Sequence, residues 1–339
     1  MVWRRSSLAL VLLALTARAG NPELHRIEAI EPHMGTMFRI VLYSTDDQEA
    51  QTALRAAFDR VAELDKKLSD YDPNSELMQA TKAAYRHPIR VSPELFHVLE
   101  ESQKLAAETD GAFDVTLGPL TRLWRQARAS GGVPSTEDVN QAAARTGYRN
   151  LVLHREDRTI ELRLAGMQID LGAIAKGYAA DEALGILREH QIGRSLVAAS
   201  GDLAIGDPPP GAEGWDVGID PIEAPGAEFP RVLKLRNRAV STSGDSQQHL
   251  DSGGRRFSHI LDARTKMGLS KGIGVSVIAP MGIHADSLAT AASVVASRKG
   301  VEAGLDFVER HAGASALIVY PRDGGWEVKR SQHFPMASR

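Results

Sequence analysis

Two oxygen-bearing side chains with a spacing suited to metal chemistry lie late in the chain. Asp286 and Thr290 stand four residues apart, at the start of a helix predicted over residues 285–297. That spacing puts both side chains on one helix face. A carboxylate with a hydroxyl is a hard-oxygen pair that suits Mg²⁺, which keeps waters and adds substrate phosphates. The alternative is an acidic residue that favours the helix dipole, followed by a threonine packed in the core.

A second candidate segment, residues 170–177, follows a predicted strand and opens a helix predicted over residues 172–187. Its sequence, Asp-Leu-Gly-Ala-Ile-Ala-Lys-Gly, is rich in small residues that would let a ligand approach the backbone. Lys176 could face a phosphate or a nucleotide carbonyl near the start of that helix. The same pattern fits a tight connection with a solvated lysine, so the residues alone leave both interpretations open.

Three shorter segments add polar groups. Residues 111–114 (Gly-Ala-Phe-Asp) follow a predicted helix end, where they could line a flavin or adenine pocket or only cap the helix and bury the phenylalanine. His259 is the most attractive histidine for base chemistry because Ser258 and Asp262 are nearby, although a lone histidine in a strand is more often structural. Residues 200–202 (Ser-Gly-Asp) could form another polar wall of a pocket, or only a turn.

The overall composition excludes several classes of site. The formal net charge of the 339-residue chain is −3, and aromatic residues make up only 5% of it. Neither property suits nucleic-acid binding, which needs a basic field or a base-stacking platform. The chain has no cysteine, which excludes disulfides, thiolate metal sites, cysteine nucleophiles and a lipid anchor on an N-terminal cysteine.

The first residues are typical of an export signal. A basic pair at residues 4–5 precedes an apolar run over residues 8–15, which is too short to span a bilayer. Residues 17–19 (Ala-Arg-Ala) form a small-x-small cleavage site. We therefore expect a signal peptide over residues 1–19, one domain over residues 20–339 and a periplasmic location. The arginine pair also permits a twin-arginine route.

Hydrophobic patterning predicts the elements that must position these groups. Alternation over residues 36–43 indicates a strand, and an apolar stripe after a capping Asp46 or Asp47 indicates a long helix. A Ser-Pro pair at residues 92–93 marks another helix start, and that helix should end near residue 110. Strands and helices mix without regular alternation, which favours an α+β fold with mixed or antiparallel sheets and flanking helices. Further strands are predicted at residues 195–199, 215–219, 232–235 and 273–279, within a meander over 150–170, and as a closing hairpin at 314–320 and 326–328.

The order of these motifs along the chain resembles that of the FAD:protein FMN transferases, also called the ApbE family. Several motifs in one order are more specific than any single motif, and together they cover the chain from about residue 30 to about residue 320. The matching segments are residues 33–36 (His-Met-Gly-Thr), 71–77 (Tyr-Asp-Pro-Asn-Ser-Glu-Leu), 111–116 (Gly-Ala-Phe-Asp-Val-Thr), 170–177, 201–202, 242–244 (Thr-Ser-Gly), 258–262 (Ser-His-Ile-Leu-Asp) and 285–290 (Ala-Asp-Ser-Leu-Ala-Thr).

The resemblance implies a single catalytic domain of the ApbE type, T-fold-like in architecture, in an exported, Mg²⁺-dependent enzyme. Such enzymes cleave the pyrophosphate of FAD, release AMP and leave FMN joined by a phosphoester to a Thr or Ser of a client flavoprotein. Clients by family include subunits of membrane redox complexes.

The resemblance also implies roles for individual residues. The Ala173 carbonyl, Asp286 and Thr290 would hold the metal. His259 would serve as the base, or Asp286 in its place. The FAD site would be formed by Met34, Tyr71, Ala112, Phe113, Asp114, Asp170, Lys176 and Ile260.

The sequence departs from the family pattern in three places. The usual Asp-Pro-Arg-Thr-Gly run reads Asp-Ala-Arg-Thr-Lys at residues 262–266, and the common Gly-Gly-Asp reads Ser-Gly-Asp at residues 200–202. The aromatic residue often found after Thr-Ser-Gly is replaced by Asp-Ser-Gln at residues 245–247. The metal and lysine motifs are intact, so the departures bear on client docking and adenine-side contacts more than on metal binding.

Two other functions would use the same residues. A FAD pyrophosphatase would yield free FMN and AMP, because water would replace the client hydroxyl. A non-catalytic periplasmic flavin-binding protein would keep FAD intact. The intact metal and lysine motifs favour chemistry over storage.

Overall fold

The computed structural model of the protein describes residues 23–244 and 249–336. The predicted signal peptide at residues 1–19 and the replaced aromatic position at residues 245–247 lie outside these ranges. Within them, no helix is both long enough and apolar enough to cross a bilayer.

The described residues form seventeen strands and eight α-helices. The strands are β1 (His25–His33), β2 (Thr36–Ser44), β3 (Ile89–Arg90), β4 (Leu151–His154), β5 (Thr159–Leu162), β6 (Ser195–Ala199), β7 (Asp202–Ile205), β8 (Trp215–Gly218), β9 (Val232–Leu235), β10 (Arg238–Ser243), β11 (His249–Ser252), β12 (Arg255–Ser258), β13 (Leu261–Asp262), β14 (Met267–Gly268), β15 (Gly274–Ala279), β16 (Ser315–Arg322) and β17 (Gly325–Arg330). The helices are α1 (Asp47–Leu68), α2 (Glu76–Ala83), α3 (Pro93–Glu108), α4 (Gly118–Ser130), α5 (Thr136–Ala143), α6 (Ala175–Glu189), α7 (Gly282–Lys299) and α8 (Val301–Glu309), with a 3₁₀ turn at Tyr148–Asn150.

An eight-stranded sheet organises the molecule, in the order β1-β2-β6-β7-β10-β15-β16-β17. Neighbouring strands of this sheet all pair antiparallel. Smaller antiparallel units are formed by β3-β5-β4, β8-β9, β11-β12 and β13-β14. The predicted α+β class with antiparallel sheets and flanking helices is therefore confirmed.

The large sheet is buried on both faces. In β2, Phe38, Ile40 and Leu42 are fully buried in the core that includes α1, α6, α7 and α8, whereas Val41 belongs to the core on the opposite face. Successive side chains of a strand point to opposite faces, so one strand contributes to both cores. The same alternation in β16 divides its apolar residues between the two cores.

The helical layer begins with α1, which forms as its sequence predicts. The Asp46 side chain accepts hydrogen bonds from the amides of Gln48 and Glu49 and so caps the helix. The predicted apolar stripe is buried against the sheet and α6. It consists of Leu54, Phe58, Val61, Leu64 and Leu68.

Two further cores complete the molecule. The opposite face of the sheet is covered by the β8–β9 ribbon and the loop between its two strands, around Trp215 and Leu233. A third core joins α4 to the β11–β12 hairpin, where the rings of Trp124 and Phe257 lie 5.5 Å apart. Residues of all three cores line the cleft described below.

The starts of the two helices that carry the candidate residues differ from the prediction. Helix α6 begins at Ala175, after a tight turn, and not at residue 172. Helix α7 begins at Gly282, one turn before the predicted residue 285, because Asp181 of α6 accepts the amides of Gly282 and Ile283 at 2.7 and 2.9 Å. That cap comes from a distant segment, so local sequence could not reveal it.

The other predicted elements agree with the structure within a few residues. Helix α3 starts with Ser92 as its cap and Pro93 in its first turn, and it ends at Glu108. The closing hairpin is formed by β16 and β17. The predicted meander over 150–170 is shorter than expected, because only β4 and β5 form there. The expectation that His259 lies in a strand is wrong, since it follows the end of β12 in a bend.

Candidate active site

A cleft of about 630 Å³ lies where the three cores meet. It is bounded by the β1–β2 turn, the start of α6, one side of α7 and the end of β10. Every residue predicted from the sequence to hold the metal, bind FAD or act as a base lies in its walls. These residues are Met34, Tyr71, Ala112, Phe113, Asp114, Asp170, Ala173, Lys176, His259, Ile260, Asp286 and Thr290.

Lys176 lies between two buried carboxylates at one wall. Its Nζ is 2.7 Å from Asp202 Oδ2 and 3.5 Å from Asp286 Oδ2. It also donates to the Gly172 carbonyl at 3.0 Å. The other oxygen of Asp202, Oδ1, accepts a hydrogen bond from the Ser241 hydroxyl at 2.6 Å. The segment 200–202 is therefore a polar wall, which was one of its two predicted roles.

The charges at this wall do not balance. Burial raises the pKa of Asp286, and the neighbouring Asp202 raises it further. Burial alone would lower the pKa of Lys176, but Asp202 and Asp286 hold it above its ordinary value. One ammonium group thus faces two carboxylates, which leaves excess negative charge when both acids are ionised. A divalent cation would offset that excess and leave positive charge for a diphosphate.

The predicted metal ligands offer a suitable set of oxygens. Asp286 and Thr290 project from α7 into the same wall, one helical turn apart, and Thr290 Oγ1 lies 3.4 Å from Ser243 Oγ. Ala173 lies in the turn before α6. The amides of Ile174 and Ala175 stabilise this turn, because they donate to the Leu171 carbonyl at 3.1 and 2.9 Å. A carboxylate, a hydroxyl and a main-chain carbonyl are hard donors, so these residues fit Mg²⁺.

Two glycines bring α6 and α7 close enough to form this wall. A Cβ added to Gly177 would lie 2.1 Å from the Gly282 carbonyl oxygen and 2.8 Å from Asp286 Cβ. The Gly177 amide donates to Asp286 Oδ2 at 3.1 Å. A side chain of α7 therefore satisfies an amide in the first turn of α6, and this bond fixes the carboxylate beside Lys176.

Another part of the cleft wall is organised by Arg125 of α4, which sequence reasoning missed. Its guanidinium donates to Asp70 and, at 2.9 Å, to Asp170 Oδ2. It also lies 4.4 Å from the centre of the Tyr71 ring. Tyr71 is 68% exposed, so much of the ring is open to the cleft. A ring backed by a cation in this way is a surface on which a flat aromatic ligand can stack.

The loop after α3 shapes the cleft floor. Ala112 and Phe113 are almost fully buried, so they form part of the wall without offering a polar group. Asp114 accepts hydrogen bonds from the Thr116 amide and hydroxyl at 2.7 and 2.6 Å, and from the Tyr148 amide at 3.0 Å. Burial nevertheless raises the pKa of Asp114. In this structure the Asp114 carboxylate holds the loop in its conformation.

His259 and Ile260 border the cleft on a segment held by a buried ion pair. Asp262 Oδ1 accepts two bonds from Arg298, at 3.0 and 2.6 Å, and the Ser258 hydroxyl accepts the Ile260 amide at 3.1 Å. The two polar neighbours that made His259 attractive in the sequence thus have structural bonds of their own. The His259 side chain is exposed at the cleft, where a large substrate could reach it.

Met34 lies at the tip of the β1–β2 turn. Its backbone adopts a left-handed φ of 50°, and its amide donates to Asp65 Oδ2 at 2.8 Å. This bond from α1 fixes the turn against the cleft. Asp65 had no distinguishing signal in the sequence, because it is one of several acidic residues in α1.

The groups that sequence reasoning missed share a cause. Arg125 is one of three arginines in α4, and the local pattern does not distinguish it from Arg122 or Arg128. Its partners Asp70 and Asp170 lie 55 and 45 residues away in the chain. Only the tertiary fold brings these charges together.

Comparison with known proteins shows which family the chain is similar to. The profile of the ApbE family matches residues 34–318. A relative from Treponema pallidum called FAD:protein FMN transferase is 29% identical over 334 residues, covering 94% of this chain and 91% of that protein. One of the same name from Vibrio cholerae is 28% identical and covers 98% of each chain.

Solved structures agree with the sequence match. The crystal structure of the ApbE protein from Thermotoga maritima superposes with a TM-score of 0.79 at 31% identity, covering 91% of this chain and 97% of that one. The flavinyl transferase ApbE of Pseudomonas stutzeri, in its apo form, gives a TM-score of 0.77 at 29% identity, covering 91% and 95% of the two chains. The chain described here belongs to the ApbE family.

Proposed function

We propose that this protein is a FAD:protein FMN transferase, which uses Mg²⁺ to move the FMN half of FAD onto a Thr or Ser hydroxyl of a client flavoprotein and releases AMP. The observation that carries the proposal is the convergence of Asp286, Thr290 and the turn at Ala173 on one wall of a single cleft that the Arg125–Tyr71 pair also lines. The activity named for the relatives supports it.

The metal would be held by Asp286, Thr290 and the Ala173 carbonyl. When bound, Mg²⁺ supplies positive charge that neutralises diphosphate oxygens and orients the AMP leaving group. Lys176 adds a fixed cation at the same wall, held there by Asp202 and Asp286. These charges lower the repulsion that an incoming oxygen nucleophile meets at a diphosphate.

The organic part of FAD would lie along the part of the cleft formed by Arg125 and Tyr71. The exposed ring of Tyr71, stacked on Arg125, offers a surface for a flat aromatic system. The buried Ala112 and Phe113 and the Ile260 side chain add apolar contacts beside it. Met34 completes the site from the β1–β2 turn.

The transfer step moves one phosphoryl-linked group between two oxygens. The client hydroxyl oxygen forms a bond to the FMN phosphorus, the bond from that phosphorus to the bridging oxygen breaks, and AMP leaves with the electron pair. The hydroxyl proton passes to a base, a contribution of about 10²–10⁴ in rate. We assign this role to His259, which borders the open side of the cleft, with Asp286 as the alternative because it faces the same space.

The proposal is tested by incubating the protein with FAD, Mg²⁺ and a client peptide that carries an acceptor hydroxyl. We expect an FMN mass increment on the peptide with equimolar AMP, and loss of both in Asp286→Ala. Free FMN without peptide labelling would instead indicate a FAD pyrophosphatase, in which water takes the place of the hydroxyl. Intact FAD under all conditions would indicate a flavin-binding protein.

We also propose an exported, periplasmic setting, in which the client is a subunit of a membrane redox complex. Support for export is the basic, apolar and small-residue pattern of residues 1–19. N-terminal sequencing of the protein from the periplasmic fraction should find a chain that starts near residue 20. A full-length chain in the cytoplasm would contradict this setting.

A further inference from the structure

A second group of metal-binding side chains lies outside the cleft, on the surface between α3 and the start of α7. His97, Glu100 and Glu101 stand at positions i, i+3 and i+4 of α3, so they share one helix face. A ring nitrogen of His97 and one carboxylate oxygen of each glutamate lie within 4.8 Å of one another. His284, in the first turn of α7, places its Nε2 3.6 Å from Glu101 Oε2. His97, Glu100 and Glu101 thus form one group of ligand atoms, which His284 approaches from a second helix beside Glu101.

The distance between His284 and Glu101 is informative. At 3.6 Å the two atoms are too far apart for a hydrogen bond. Two ligands that each lie about 2.1 Å from a tetrahedral ion are separated by about 3.4 Å. The pair therefore has nearly the spacing of two ligands on one ion.

The His97 ring is supported by a contact with a third helix. It packs against the ring of Tyr178 in α6, with 5.6 Å between the ring centres. A ligand whose ring is already positioned loses less conformational entropy when it binds an ion. The site therefore rests on three helices of the main helical layer, not on a loop.

Two basic side chains now neutralise the carboxylates. Lys104 Nζ lies 2.6 Å from Glu101 Oε1, and Arg155 Nε lies 2.7 Å from Glu100 Oε1. The Glu101 oxygen that faces His284 is the other one, Oε2. The side chains of Lys104 and Arg155 are 53% and 71% exposed, so these ion pairs contribute little to the free energy of folding. A metal ion can therefore replace the two cations as the partner of the carboxylates.

We propose that His97, Glu100 and Glu101, with His284 as a fourth ligand, form a second cation site that binds a transition-metal ion of the zinc type. Imidazole ligands suit Zn²⁺ and its neighbours, whereas Mg²⁺ prefers oxygen alone. The site is separate from the cleft and does not depend on FMN transfer. Because it joins α3 to the helix that carries Asp286, its occupancy should stabilise the helical layer.

The test is a calorimetric titration of the full chain with Zn²⁺, in excess Mg²⁺ so that the oxygen-only site is occupied. We expect one Zn²⁺ site in the wild type, weakened more than about 10-fold in His97→Ala and in His284→Ala. His154→Ala is the matched control, because His154 is also a surface histidine beside a carboxylate, 3.9 Å from Glu161. That variant should keep wild-type affinity.

Two further readouts locate the ion. Zn²⁺ should raise the melting temperature of the wild type and of His154→Ala, but not of His97→Ala or His284→Ala. Asp286→Asn should retain the Zn²⁺ site, since that side chain belongs to the cleft. The proposal is overturned if the wild type shows no such site, or if Zn²⁺ binds both histidine variants as tightly as the wild type.

Discussion

Arg125 is the residue whose role is easiest to separate from that of the metal ligands. It joins Asp70 to Asp170 and supports the Tyr71 ring, so replacement by lysine keeps the charge but removes the planar stack and the forked bonds. We expect Arg125→Lys to bind FAD about 10-fold more weakly, which corresponds to a loss of about 1.4 kcal/mol. Quenching of flavin fluorescence on titration measures the affinity.

The matched control for this change is Arg128→Lys. Arg128 lies in the same helix and lines the same cleft, one turn further along. We expect this variant to bind FAD nearly as tightly as the wild type. Equal affinity in Arg125→Lys and the wild type would show that the Tyr71 surface does not hold the flavin.

Ser200 is a second residue whose conformation leads to a prediction. Its φ of 58° lies in the left-handed region, which costs a residue with a Cβ roughly 1 kcal/mol or more. The family commonly has glycine here, so Ser200→Gly should raise the free energy of unfolding by about 0.5 kcal/mol. Urea denaturation measures the change. Ser130→Gly, at the end of α4, should instead lower stability, and a loss in both variants would contradict this explanation.

The same reasoning explains a second departure from the family pattern. Lys266 stands where the family run ends in glycine, and its φ is 62°. Its side chain donates to Asn140 at 2.8 Å, and its carbonyl accepts the Trp124 indole N–H at 3.1 Å. These bonds hold a residue other than glycine in a turn that favours glycine.

Candidate residues were predictable where one short segment carried the signal. Asp286 and Thr290 share a helix, and Lys176 lies in one small-residue run, so their types and spacing were visible in the sequence. The partnership of Lys176 with Asp202 and the position of Arg125 depend on contacts between distant segments. No local pattern could predict them.

At the scale of elements, the crossing of α6 and α7 determines the shape of the metal wall. Gly177→Ala would place a methyl group against the Gly282 carbonyl and Asp286, so the helices must move apart. We expect the free energy of unfolding to fall by about 1–3 kcal/mol, together with loss of metal-dependent FAD binding. Denaturation and FAD titration with and without Mg²⁺ measure the two effects.

Gly185 in the same helix provides the control. A Cβ added there meets nothing within 4 Å. Gly185→Ala should therefore stabilise the protein by up to about 1 kcal/mol and leave FAD binding unchanged. If Gly177→Ala behaved in the same way, close approach of these helices would not be needed for the site.

Element boundaries were predictable where caps are local. Helix α1 is capped by Asp46 and α3 by Ser92, each next to the helix that it starts. Ser92 was predicted, and Asp46 was one of the two caps predicted for α1. Helix α7 takes its cap from Asp181, about a hundred residues earlier, and its start was predicted one turn late. Asp286 is therefore not a first-turn acid, and the alternative that it serves only the helix dipole loses its basis.

At the scale of the whole molecule, a charge network fastens α1 to α3 and α6. Arg60 Nη2 lies 2.6 Å from Glu182, and Glu94 Oε1 lies 3.1 Å from Arg60 and 2.9 Å from Lys67. Burial alone would raise the pKa of Glu94, but Lys67, its own backbone amide and Arg60 lower it to about 2. A lowered pKa means that the folded state favours the ionised carboxylate.

The sign of the pH dependence follows from that shift. The stabilisation from Glu94 is present above its ordinary pKa of 4.5 and is lost as the pH falls toward about 2. Glu94→Gln should lower the free energy of unfolding at neutral pH by about 1 kcal/mol at most, because solvent screens the network. The free energy of unfolding of this variant should also fall less steeply than that of the wild type as the pH is lowered. Denaturation from pH 7 to 2 measures this. Glu156→Gln, in the exposed β4–β5 turn, should show the same pH dependence of unfolding as the wild type. An unchanged pH dependence in Glu94→Gln would contradict the assignment.

The whole-molecule arrangement was predictable only as a class. Mixed strands and helices without regular alternation indicated an α+β fold, which is confirmed. The strand order places β6 beside β2 and β17 at the far edge, and it depends on pairings between distant segments. The position of the cleft at the junction of three cores follows from that order.

The central claim is that a divalent cation held by Asp286, Thr290 and the Ala173 carbonyl grips the diphosphate of FAD. The most direct test is ³¹P NMR of FAD bound to the protein, with paramagnetic Mn²⁺ in place of Mg²⁺. We predict strong broadening of both phosphorus signals in the wild type and much weaker broadening in Asp286→Asn, at protein concentrations that keep FAD bound in each. Equal broadening in the two proteins would contradict the metal assignment.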